Sequence, residues 1–264
     1  MHHTSFEKML TFVQVCMVPH MDTPLRILDV GSQLVEEGQG TYRGLFQRPD
    51  WVYDGLDVQP GLNVDIAVAD PYDWVEVQDD TYDLVISGQA LEHVEYFWGT
   101  AFEIGRVLRP GGITALIAPS NGFEHRYPVD CWRFYADGMR AIAKYLGFEV
   151  VDVFTDWGRD VWQDSILVMR KPQWGAEGRQ RFAERAAMQR ALLGCASRAV
   201  AVAPGAPVPS PLAAVPSGVL SPPLEAIREQ ALAEAAQPAP LAADHTESRP
   251  AKTRGWFRGR QPAG

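Results

Sequence analysis

The chain has 264 residues and a formal net charge of −9, with 46% hydrophobic and 22% charged residues. That balance is the one expected of a soluble globular protein, and no apolar run reaches the length of about 20 residues needed to span a bilayer. The charge is uneven: residues 1–172 hold 26 acidic against 13 basic side chains, and residues 173–264 hold 7 against 11. An acidic body of that size repels phosphate backbones, which disfavours a nucleic-acid substrate.

The first segment, "TSFEKMLTFVQVCM" within residues 1–24, reads as a helix that caps the sheet or covers a bound cofactor. It lacks the basic start and small-residue cleavage site of a secretory signal. Cys16, Cys131 and Cys195 stand far apart and odd in number, which argues against a disulfide framework and for the cytoplasm. Strand-like apolar runs then follow at "LRILDV", "WVYDGLDV", "VDIAVAD", "YDLVISG", "GGITALIAPS", "FEVVDVFTD" and "DSILVMRK". Between them lie stretches of helical period. In "VEYFWGTAFEIGRVLRPGG", Phe97, Ala101, Ile104 and Leu108 share a face, and Pro110-Gly111-Gly112 stops the helix. In "ADGMRAIAKYLGF", Asp137 is the expected N-cap and Gly147 the terminating glycine. A helix is also expected to start at Tyr42 and Arg43. The whole predicts an α/β fold with a doubly wound, mostly parallel seven-stranded sheet over residues 25–172. Trp157 and Trp162 are expected to pack its edge. Residues 173–200 read as a helical extension. Residues 201–264 hold 11 of the 20 prolines and only two aromatics, and are expected to be disordered apart from a short helix over 222–237. The basic terminal run "RPAKTRGWFRGR" reads as a solvated tail.

In such sheets ligands bind beyond the carboxyl ends of the strands. The residues there are Asp29-Val30-Gly31, then Asp57, then Asp70, then Ser87-Gly88-Gln89. Gly31 permits close backbone approach. A carboxylate at Asp57 accepts two hydrogen bonds side by side, as a ribose diol offers. Asp70 can accept from an adenine amino group.

Together "LDVGS", "GLDV", "YDLVISGQALEHV" and "RVLRPGG" resemble the class I S-adenosylmethionine-dependent methyltransferases of the type 11 group, over about residues 25–171. The resemblance implies S-adenosyl-L-methionine as cofactor. Asp29, Gly31 and Ser32 would lie by its methionine part, and Asp57 and Val58 by the ribose. Ala69 and Asp70 would flank the adenine, with Ser87, Gly88 and Gln89 near the sulfonium. Gln33 replaces the second glycine of the family's first motif, and Gly38 and Gly40 arrive late, as in a lengthened loop. A narrower likeness, carried by "HRYPVDCWRFYADGMRAI", is to bacterial proteins associated with cell-surface polysaccharide synthesis.

A sulfonium is already a good leaving group, so alignment and water exclusion dominate the catalytic task. His93 is the candidate base by motif position, with a loop-bracing role as its rival. The loop "SNGFEHRYPVDCWRFYADG" adds His125 and Asp130 as catalytic candidates. It also supplies Arg126, Tyr127, Trp132 and Arg133 as a surface for a small-molecule or glycan acceptor. No metal site is assigned, because His125 and Asp130 bring no third ligand by spacing. Two rivals stand. One is a non-catalytic adaptor that binds a protein partner through residues 201–264. The other is a nicotinamide-dependent dehydrogenase, which would need the glycines that Gln33 and Glu36 displace.

Overall fold

The computed structural model describes residues 3–35, 38–158 and 161–196. The expected Pro/Ala-rich tail, the helix over 222–237 and the basic terminal run lie outside the described residues. A seven-stranded sheet runs in the order β3-β2-β1-β4-β5-β7-β6. Its strands are β1 (Leu25–Val30), β2 (Trp51–Asp57), β3 (Ile66–Ala67), β4 (Tyr82–Gly88), β5 (Leu108–Pro119), β6 (Glu149–Thr155) and β7 (Asp164–Arg170). The pairings β1–β2, β1–β4, β2–β3 and β4–β5 are parallel, and β7 runs antiparallel to both β5 and β6. The sheet is therefore mixed. The reversal places Asp164, the first residue of β7, beside Pro119, the last of β5.

The central strands are apolar on both sides, as two covered faces require. On one face Leu28, Val85, Leu116 and Leu167 pack under α2 (Phe97–Val107) and α3 (Ala136–Leu146). Phe182 and Ala186 of α4 (Ala176–Ala196) join the same cluster, so the expected extension completes the core. On the other face, Met9, Phe12 and Val13 of α1 (His3–Cys16) pack on Ile27, Ile86, Ala115 and Val168.

Three local expectations are corrected. The helix expected at Tyr42 is a five-residue 3-10 turn, Tyr42–Phe46. Helix α2 ends at Val107, and Leu108 already pairs with Tyr82 as the start of β5, because an apolar residue there suits either period. The N-cap of α3 is Tyr135, with Asp137 in the first turn, while Gly147 closes the helix at φ +77°.

No helix separates β3 from β4. A loop over residues 68–81 fills that place, fastened by polar contacts. The Glu103 carboxylate, fully buried, accepts from the Trp74 backbone N–H at 2.9 Å, from Arg106 at 2.6 and 3.0 Å, and from Arg190 at 3.0 Å. Arg106 in turn donates to the carbonyls of Trp74 and Val77 and to Asp79.

Candidate functional site

The residues expected at the strand tips gather at one end of the sheet. Gly31 adopts φ +78°, and a Cβ there would lie 2.3 Å from the Cβ of Ala90, so only glycine fits this turn. The loop beyond it is tied to the end of β2. Gly31 and Ser32 donate backbone N–H groups to the Leu56 carbonyl. Ser32 Oγ donates to the Asn63 carbonyl at 3.0 Å. The Gln33 N–H donates to Asp57 Oδ2 at 3.1 Å, while Val58 N–H donates to Oδ1 at 2.7 Å. Asp57 is half-buried, and burial raises its carboxyl above the usual range against the pull of those N–H groups. The Gln33 side chain lies over Gly61, where a Cβ would meet its Nε2 at 2.5 Å. Gly38 stands in open space, with nothing within 4 Å of a built Cβ. The substituted first motif is thus closed by hydrogen bonds to its neighbour strand.

Val58 and Ala69 are exposed beside these groups, and Asp70 is partly buried. Asp70 Oδ1 accepts the Tyr72 N–H at 2.7 Å, which closes its own turn. Ser87 Oγ donates to the Val30 carbonyl at 2.8 Å and locks β4 to β1. Gly88 is packed against the Tyr42 ring, whose hydroxyl would lie 2.0 Å from a Cβ there. Tyr42 is buried, shares a hydrogen bond with Ser5 of α1 at 2.5 Å, and is held protonated by its desolvation. Gln89 sits in the left-handed region at φ +59° and donates Nε2 to Asp164 Oδ1 at 2.9 Å.

Sequence reasoning passed over two of the buried acids behind these tips, Glu92 and Asp164, both fully buried; the expected Asp29 is 3% exposed. Burial pushes the Asp29 carboxyl up to about 7, although Tyr53 donates its hydroxyl to it and Arg43 lies near. Burial likewise pushes Glu92 up to about 8 and raises Asp164. Among the described residues, Glu92 Oε1 and Oε2, Gln89 Oε1 and Asp164 Oδ2 are buried without a hydrogen-bond partner. Asp164 Oδ2 lies 4.0 Å from Lys8 Nζ, and the remaining oxygens suit a ligand that carries donors and positive charge.

These acids have a measurable consequence. Native Asp29 keeps its proton to about pH 7, whereas an unfolded aspartate releases it near pH ~3.9. The folded state therefore binds more protons across that window, and stability falls as pH rises through it. Asp29→Asn, which still accepts from Tyr53, is expected to flatten that fall in urea midpoints measured between about pH 4 and 8. An unchanged slope would remove Asp29 as a source.

The loop after β5 folds back over the short 3-10 turn Leu91–His93. The Cys131 N–H donates to the Glu92 carbonyl at 2.7 Å, and Trp132 Nε1 donates to the carbonyls of Val94 and Glu95. Arg133 grips Asp130 through both carboxylate oxygens at 2.6 and 2.9 Å and also donates to the Phe123 carbonyl. Hydrogen bonds from Arg133 and the His125 N–H hold the Asp130 carboxyl down at about 2 against the opposing effect of burial. Asp130 and Arg133 are thus engaged with each other. Tyr127 and Trp132 are exposed, and Arg126 pairs with Glu124 at the rim.

His93 and His125 meet edge to face, with ring centroids 4.9 Å apart. The His93 Nδ1 lies 2.6 Å from the Val129 carbonyl, so that nitrogen carries the proton and Nε2 the lone pair. Burial lowers the His93 pKa and keeps the ring neutral. Trp162, expected at the sheet edge, instead packs its ring on His125 at 4.7 Å and on Phe123 at 4.9 Å. Trp157 stacks on Tyr135 at 5.8 Å, and the "GRD" between the two tryptophans lies partly outside the described residues.

A family model described as "Methyltransferase domain" matches residues 50–116. No curated protein matches the chain significantly. Among solved structures, the cyclase SpnF is 18% identical with a TM-score of 0.49, covering 63% of this chain and 80% of that one. Phosphoethanolamine N-methyltransferase 2 of Haemonchus contortus, in complex with S-adenosyl-L-methionine, is 16% identical with a TM-score of 0.47, covering 63% and 53%. The 1,6-didemethyltoxoflavin-N1-methyltransferase of Burkholderia thailandensis, with bound 1,6-didemethyltoxoflavin and S-adenosylhomocysteine, is 16% identical with a TM-score of 0.44, covering 64% and 84%. At these identities and scores the likenesses say nothing of this chain's activity. The sheet order fits a Rossmann-like fold, and the matched segment covers its β2, β3, β4, α2 and most of β5. No helix among the described residues is long and apolar enough to cross a membrane.

Proposed function

We propose that this chain is an S-adenosylmethionine-dependent methyltransferase that methylates an oxygen of a small, hydroxylated or carbohydrate-like acceptor. One observation carries the reading. The matched segment, residues 50–116, is the stretch whose Asp57, Val58, Ala69, Asp70, Ser87, Gly88, Gln89 and His93 line one end of the sheet. The cofactor supplies a methyl group on a positively charged sulfur. In this reading Asp57 and Val58 hold the ribose, Ala69 and Asp70 the adenine edge, and Asp29, Gly31, Ser32 and the Ser87–Gln89 turn the remainder.

His93 takes the acceptor's proton on Nε2, since its Nδ1 already donates to the Val129 carbonyl. His125 packs against that ring and orients the acceptor. Asp130 and Arg133 act as positioning residues, because their ion pair shapes the loop that carries His125. Tyr127 and Trp132 offer the exposed rings on which a sugar stacks, with Arg126 at the rim.

The test is incubation of the full chain with methyl-labelled cofactor and fractionated cell extract. Label in a saccharide or small hydroxylated compound is expected, and label confined to protein or RNA would overturn the acceptor class. His125→Ala is expected to lower turnover about tenfold while leaving cofactor affinity nearly unchanged. Equal losses in both would assign His125 to the cofactor instead.

A further inference from the structure

Glu92, His93 and His125 each offer one ligating atom, and these atoms all lie within 4.8 Å of one another. We propose that these three side chains form a binding site for a divalent transition-metal ion of the zinc type. Two imidazole nitrogens and one carboxylate are a donor set that such ions accept with a coordination position left open.

The carboxylate is the least easily explained group without a cation. Glu92 is fully buried, and neither of its oxygens accepts a hydrogen bond from another described residue. Its Oε1 lies 3.7 Å from His93 Nε2. At 3.7 Å the Glu92 oxygen and the His93 Nε2 lone pair do not hydrogen-bond, and a cation between them would engage both.

The outer contacts are those a ligating histidine uses. His93 Nδ1 donates to the Val129 carbonyl at 2.6 Å, which fixes the tautomer and leaves Nε2, 3.7 Å from Glu92 Oε1, as the ligating nitrogen. The His125 ring has its Nδ1 3.3 Å from the Phe123 carbonyl and 3.4 Å from Asp130 Oδ2. Asp130 is itself clamped by Arg133, and Trp162 packs on the His125 ring. Zinc bonds of about 2.1 Å draw tetrahedral donors to roughly 3.4 Å apart, a closure within reach of side-chain rotation. The open position is left for water or, under the reading above, for an oxygen of the acceptor, which the ion would polarise. A bound ion occupies the His93 Nε2 lone pair, so in the loaded site it replaces the base role given to His93. Metal binding itself does not depend on that reading.

The experiment strips the full-length protein with a chelator and titrates it with Zn2+ against a chromophoric competitor, without the methyl donor. A parallel Co2+ titration is followed by its visible absorption. One saturable equivalent with a four- or five-coordinate cobalt spectrum is expected. Glu92→Gln, His93→Gln and His125→Gln should each weaken binding about 100-fold or more. His125 lies on a partly exposed loop, so His125→Gln keeps the test meaningful if the buried variants fail to fold. Removing the vicinal His2 and His3 should leave binding intact. The site is overturned by absence of saturable binding, by an affinity unmoved in His125→Gln, or by loss of binding only when His2 and His3 are replaced. A chain that binds no metal yet transfers methyl groups would sink this site and leave the proposed function standing.

Discussion

Asp57→Ala is expected to weaken S-adenosylmethionine binding by about 100-fold, near 2.7 kcal/mol. The carboxylate performs two tasks at once. Inside the protein it accepts the N–H groups of Gln33 and Val58, which ties the substituted first-motif loop to the tip of β2. Toward the ligand, in the proposed reading, its remaining lone pairs accept the ribose hydroxyls. Each such bond to a charged acceptor is worth about 1.5–3 kcal/mol, so losing even part of the set reaches the stated effect. Asp57→Asn keeps one acceptor and should fall between alanine and the native residue. Calorimetric titration with cofactor measures both, and an alanine variant within threefold of native would remove Asp57 from the cofactor site.

Glu103→Ala is expected to cost about 3–5 kcal/mol of folding stability, the usual penalty for removing one partner of a buried ion pair. Glu103 is fully buried between Arg106 and Arg190 and holds the Trp74 backbone. Alanine leaves Arg106 only its more exposed partner Asp79 and Arg190 only Asp73, and removes one of the ties between α2 and the loop over residues 68–81. The damage should therefore spread to Ala69 and Asp70 at the adenine end of the proposed site. Urea unfolding of the variant, followed by tryptophan fluorescence, checks this. A loss below about 1 kcal/mol would mean that packing and the remaining bonds from Arg106 and Thr100 hold the loop without Glu103.

The sheet was legible in the sequence because its central strands are nearly continuous apolar runs, and β1 and β4 match the runs read as strands. The strand-tip residues were legible for the same reason, since each follows such a run. The crossovers were less so. "TYRGLF" has helical ingredients but is hemmed by Gly44 and Pro49, and it makes only a 3-10 turn. Between β3 and β4 no periodic signal marks a loop that is held by Glu103 and Arg106, because its stability comes from side chain–backbone bonds over long sequence distance. The buried acids were the least legible part of the site. Glu92 stands inside "LEHV", quoted for its histidine, and Asp164 opens a strand like any other polar residue. Only the antiparallel return of β7 brings Asp164 to Gln89, 75 positions earlier in the chain.

Among the described residues, no α-helix stands between β1, β2 and β3, and this divides the protein energetically. The β4–β5–β7 centre is sealed on both faces, whereas the β2–β3 edge exposes Val52, Val58 and Leu62 and ends in a two-residue strand. Local opening there requires far less free energy than global unfolding. Half of the proposed cofactor site is built on that edge, so only the closed fraction of molecules offers Asp57 and Ala69 together. Apparent affinity then scales with that fraction, and any substitution or solvent condition that loosens the edge weakens the ligand without touching it. Conversely, an occupied site draws the edge into the cooperative unit of the sheet.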